Sequence, residues 1–72
     1  MISANMAKIQ LNGKKITINQ NFSLFDLLKK YKLNEKKIAI ELNGQIITKK
    51  MYKKRLVKHN DKIEIVHFIG GG

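Results

Sequence analysis

The sequence predicts an α+β domain of two layers, a mixed sheet with one main helix packed on one of its faces. Three observations carry that expectation. Four stretches alternate apolar and polar residues with a period of two, one stretch repeats apolar residues at helical spacing, and Asn-Gly pairs mark two tight turns. Strands and one helix in a chain this short must share one core, so the helix has to cover the sheet.

The elements follow in chain order. In AKIQLN, residues 7–12, Ile9 and Leu11 alternate with Lys8 and Gln10, and in KITIN, residues 15–19, Ile16 and Ile18 flank Thr17. Asn12-Gly13 lies between them and suits a type I′ turn, which demands positive φ at both central residues, so the chain opens with a hairpin. In LFDLLKKYKL, Leu24, Leu27, Leu28 and Tyr31 fall at i, i+3, i+4 and i+7, the apolar stripe of an amphipathic helix. Ser23 is the expected N-cap and Asp26 its capping-box partner, while Lys29, Lys30 and Lys32 complement the dipole at the far end. KIAIELN, residues 37–43, is the third strand, with Ile38, Ile40 and Leu42 on one side. Asn43-Gly44 turns the chain into a short strand at Ile46-Ile47-Thr48. KKMYKKRLVKHN is an irregular or short helical crossing whose Tyr52, Leu56 and Val57 cover the sheet edge, and Asn60-Asp61 leads into a last strand, KIEIVHFI. The expected core is Ile9, Leu11, Ile16 and Ile18 from the hairpin, Leu24, Leu27 and Leu28 from the helix, Ile38, Ile40 and Leu42 from the third strand, and Leu56, Ile63 and Ile65 from the rest.

With 72 residues there is room for one domain and for no second catalytic unit. The absence of cysteine excludes a disulfide, a thiolate nucleophile and a thiolate metal site within the chain. No apolar run approaches the length of a membrane span and no secretory signal opens the chain, so a cytoplasmic, soluble protein is expected. A net charge of +10 invites a nucleic-acid reading, but only Arg55 among the 15 basic residues offers a guanidinium fork, and a solvated basic surface is the preferred account.

The chemistry-bearing residues are sparse. Asp26, Glu35, Glu41, Asp61 and Glu64 show no spacing that would pair two carboxylates for acid–base work. His59 and His67 lack metal-ligand spacing, no serine sits in a nucleophile elbow, and no phosphate loop is present, so no metal, cofactor or nucleotide site is expected on this chain. What stands out is the end, IEIVHFIGGG. With glycine usage of about 7%, three set positions would all be glycine only about three times in ten thousand, so chance is a poor account. A frayed tail or an expression scar is the bland alternative. The functional reading is that glycines, lacking Cβ, can pass extended through a narrow groove and present the α-carboxylate of Gly72. A carboxylate becomes a good electrophile once joined to a nucleotide, and that activation must come from another enzyme.

The stretches SLFDLLKKYKL, IAIELNGQII, Lys49-Lys50 with Tyr52, and NDKIEIV followed by the terminal glycines resemble the thiamin-biosynthesis sulfur carrier (ThiS) family, whose fold is the ubiquitin-like β-grasp. The resemblance runs from about Lys8 to Gly72. It implies that the chain is not an enzyme but a carrier: Gly72 is adenylated by a partner activating enzyme using ATP and converted to a thiocarboxylate. Sulfur reaches it from cysteine by a desulfurase route and passes to thiazole synthase, with Gly70 and Gly71 threading the partner's active site. Asn60 stands where the family usually has Gly, and Thr48-Lys49 where it often has Pro-Arg; Lys49 keeps the charge at a partner-facing position. Within the last strand, Val66 and Phe68 face away from Ile63 and Ile65, and partner contact is the preferred reading over burial by a bulge or loop. The expected organisation is an extension or scar over 1–5, the β-grasp domain over 6–69 and a glycine tail over 70–72. A molybdopterin-type sulfur carrier, a protein-conjugating modifier and an RNA-binding β-grasp module are the rival readings; the short length and the IVHFIGGG ending favour thiamin.

Overall fold

Alternating sequence becomes pleated strand wherever one face can be buried, and five strands form. In the computed structural model of the chain, which describes residues 5–68, β1 (Met6–Leu11), β2 (Lys14–Asn19), α1 (Leu24–Lys30), β3 (Ile38–Leu42), β4 (Gln45–Ile47) and β5 (Lys62–His67) follow in order. Two 3₁₀ turns, Glu35–Lys37 and Lys49–Met51, precede β3 and follow β4. The strands make one sheet in the order β2-β1-β5-β3-β4. All neighbours run antiparallel except β1 and β5, which are parallel and register Gln10 with Lys62 and Leu11 with Ile63. This is the mixed sheet with one helix that the pattern predicts.

Both Asn-Gly turns take the positive φ that their sequence promises, 48° and 84° at Asn12-Gly13 and 50° and 86° at Asn43-Gly44. Asn60, at φ 72°, takes the same region where a glycine would be the unstrained choice.

The helix begins as expected. Asp26 N–H donates to Ser23 Oγ and Ser23 N–H donates to Asp26 Oδ2, each at 3.0 Å, a complete capping box. The remaining first-turn donors find carbonyls in the crossing segment: Leu24 N–H bonds Arg55 at 3.0 Å and Phe25 N–H bonds Tyr52 at 2.9 Å. Its end differs from the pattern. Lys32 turns to φ 56°, its N–H bonds the Lys29 carbonyl at 3.1 Å, and Leu33 N–H bonds the Leu28 carbonyl at 2.9 Å, the two bonds of a Schellman stop. The helix therefore closes at Lys30, Leu33 folds back onto the core, and Tyr31, expected on the stripe, is left exposed as the C-cap.

The core lies between α1 and the face of the sheet carrying Ala7, Ile9, Ile18, Ile38, Ile40, Leu42, Ile63 and Ile65. Leu24, Leu27 and Leu28 fill it from the helix, and Leu11 and Ile16 pack half-buried at its rim. Leu56 is a correction: it is 42% exposed, and Tyr52 and Val57 are buried instead. The cause is local pairing. Leu56 forms an isolated antiparallel bridge with Ser23, and Val57 N–H bonds the Phe22 carbonyl at 2.7 Å, which turns Val57 inward and Leu56 out. Burial raises the pKa of the Tyr52 hydroxyl, a backbone hydrogen bond with Ile40 opposes the shift, and the negative charge of Glu35 adds to it.

Candidate functional site: the open sheet face and the end of β5

The strand that leads to the carboxyl end is the central one, and it is gripped from both sides. On the β1 side, Asn12 N–H donates to the Ile63 carbonyl at 2.9 Å. The Asn12 side chain then meets Ile65: Oδ1 accepts its N–H at 2.7 Å and Nδ2 donates to its carbonyl at 3.4 Å. The short parallel ladder is thus prolonged by a side chain that mimics another peptide unit. On the β3 side, Asn43 N–H donates to the Lys62 carbonyl and Asn43 Oδ1 accepts the Lys62 N–H, both at 2.8 Å. Asn43 Nδ2 donates to Asp61 Oδ1 at 2.9 Å, and Asp61 Oδ2 accepts the Lys58 N–H at 2.7 Å. Beyond β5, Phe68 N–H still bonds the Lys37 carbonyl at 2.9 Å.

Because Ile63 and Ile65 face the core, Glu64, Val66 and Phe68 project from the open face of the sheet. Val66 is 56% exposed and Phe68 60%, so among the described residues no bulge or loop covers Phe68. The Lys49 ammonium sits 5.6 Å from the centre of the Phe68 ring, a cation–π contact that brings the third residue of the expected interface to the other two. Across β3, Ala39 pairs with Val66, and across β4, Ile46 pairs with Glu41. Ile46 shares this face and is 69% exposed. Sequence reasoning passed over it, although two adjacent isoleucines in a strand cannot both face the core. Gly70, Gly71 and Gly72 lie outside the described residues.

The acids need one correction. No spacing in the sequence pairs two carboxylates, but the β3–β5 register sets Glu41 directly opposite Glu64 on the open face. Such a pairing depends on which strands are neighbours and leaves no trace in local spacing. Like charges opposed across strands are unfavourable, so this pair does not serve stability. Asp26 and Asp61 are used structurally, in the helix cap and in the Asn43 network. His59 Nδ1 accepts the Lys8 N–H at 3.1 Å, and among the described residues no group of three acids or histidines converges where a metal could bind. Among the same residues, no helix is long and apolar enough to cross a membrane.

The fold defines a small β-grasp-type domain, a core closed by one helix with the last strand at the centre of the sheet. Residues 4–72 match the model of the ThiS family, and the chain belongs to that family. A sulfur carrier protein ThiS from Bacillus subtilis is 42% identical over 65 residues, covering 89% of this chain and 98% of the relative. The crystal structure of a thiamine biosynthesis protein (ThiS) from Geobacter metallireducens superposes with a TM-score of 0.78 at 28% identity, covering 90% of this chain and 99% of that one. A thiazole synthase from Paramagnetospirillum magneticum is 35% identical over 65 residues, and there 90% of this chain matches only 20% of the relative's length.

Proposed function

We propose that this chain carries sulfur for thiamin biosynthesis as the thiocarboxylate of Gly72, and that it does so as a substrate of partner enzymes, with no catalytic group of its own. Membership in the ThiS family, together with the similarity to the Bacillus sulfur carrier, is the observation that carries this reading. In the proposed sequence, a carboxylate oxygen of Gly72 attacks ATP held by an activating enzyme and pyrophosphate leaves; sulfur from a cysteine desulfurase route then displaces AMP, its persulfide sulfur being reduced to the sulfide level by a thiol that ends as a disulfide. Thiazole synthase then takes the sulfur. A thiazole synthase whose own chain contains a segment similar to this protein supports that last partner. Gly70 and Gly71 let the end pass through a groove too narrow for a side chain. Val66 and Phe68, with Lys49 beside them, are the surface on which the activating enzyme rests.

The test is the intact mass of the protein after incubation with activating enzyme, ATP and a sulfur source. Replacement of one carboxyl-terminal oxygen by sulfur is the expected result, and an unchanged mass under those conditions overturns the assignment. Deleting Gly72 abolishes thiocarboxylate formation and leaves the amide spectrum of the folded domain unchanged; continued sulfur loading of the shortened chain would move the reactive group elsewhere.

A further inference from the structure

Arg55 is the one arginine of the chain, and its place in the crossing segment is fixed by its backbone. Its N–H bonds the Met51 carbonyl at 2.8 Å and its carbonyl receives the Leu24 N–H at 3.0 Å. The side chain is half-buried, and its Nε is enclosed with no protein acceptor in reach among the described residues. An enclosed donor without an acceptor is unfavourable, so stability does not explain the arrangement. Arg55 lines a pocket of about 400 Å³ beside the edge strand β4, together with Leu42, Asn43, Gln45, Ile46 and Met51. None of the residues lining it is acidic.

We propose that this pocket receives an acidic side chain, Asp or Glu, from an extended segment of a partner protein, its carboxylate held by the Arg55 guanidinium. The planar fork of arginine matches a carboxylate in charge and in shape, and a net charge of +10 draws acidic surfaces toward the chain. The walls argue for a peptide segment over a free anion. Ile46 and Met51 are 69% and 40% exposed, which offers apolar contact to the neighbours of the acid. β4 is an edge strand, and among the described residues no strand pairs with its outer side, which leaves backbone groups for an extended segment to meet. The proposal stands apart from the sulfur-carrier reading, since the described lining residues include none of Lys49, Val66 and Phe68.

The experiment titrates the isotope-labelled full chain with acetyl-Leu-Glu-Leu-amide and follows the Arg55 Nε–H resonance together with the Ile46 and Met51 methyl signals. A saturable shift of all three is expected, with a dissociation constant on the order of 1 mM. Acetyl-Leu-Gln-Leu-amide binds about tenfold more weakly or worse, as does the Arg55→Gln chain with the acidic peptide. Arg55→Lys keeps the charge and loses the fork; it also weakens binding and guards against a folding defect in the first variant, with unchanged amide spectra as the control. An Nε–H signal that does not move, equal binding of the glutamine peptide, or saturation by acetate alone at the same concentration overturns the proposal.

Discussion

At the scale of single residues, asparagine does more here than make turns. Asn12 and Asn43 are legible in the sequence as turn formers because each precedes a glycine, yet their second role, holding β5 by its backbone, depends on which strand lies alongside and could not be read from a dipeptide. The two roles separate by substitution. Asn12→Gly keeps the positive φ and loses the bonds to Ile65, at a cost of about 1 kcal/mol, whereas Asn12→Ala loses the same bonds and keeps a Cβ in the left-handed region without the polar side chain by which asparagine tolerates it, and costs about 1–2 kcal/mol more. Urea unfolding of the two variants beside the parent measures both contributions. Tyr52 supplies a pH test. Its pKa is raised in the folded state, mainly by burial, so the unfolded chain ionises first. The stability it contributes is whole below the ordinary tyrosine value of about 10 and is lost as pH rises from there through the folded pKa. The unfolding midpoint of the parent should fall across that alkaline range, and that of Tyr52→Phe should fall less; parallel curves would remove Tyr52 as the cause.

At the scale of elements, the strands and the helix start were legible, and the helix end and the crossing segment were not. Period-two alternation fixes which side of β1, β3 and β5 is buried, since a slip of one residue would expose every isoleucine. The capping box is equally local, and Ser23→Ala should cost about 1 kcal/mol in chemical denaturation, with Ser23→Asp retaining most of it. A Schellman stop at a lysine has no such signature: glycine is the usual residue in the left-handed position, and Lys32 takes it because Leu33 gains burial by folding back. In the crossing segment, Tyr52 and Leu56 stand at helical spacing but Val57 breaks it, so no single period says which of the three is buried. Their orientation follows from the hydrogen bonds of Tyr52 with Phe25, Arg55 with Leu24 and Val57 with Phe22, all distant in sequence.

At the scale of the whole molecule, the mixed sheet was foreseen from the order of elements, but the pairing of the first strand with the last is the feature that organises function. It places β5 at the centre and puts Ile46, Val66 and Phe68 on one uncovered face. Phe68→Asp should leave the unfolding free energy within about 0.5 kcal/mol of the parent, because the ring is mostly in water. The same change should weaken binding to the activating enzyme about tenfold or more, measured by calorimetry. A loss of folding would instead assign the ring to the core. The central position of β5 has a mechanical side as well. A pull on the carboxyl end is transmitted along the axis of a strand whose hydrogen bonds to β1 and β3 lie across that axis, so the load falls on the bonds together, in shear, and they do not open one at a time. Were its end drawn into partner enzymes, as proposed, the domain would thereby resist unravelling from that end.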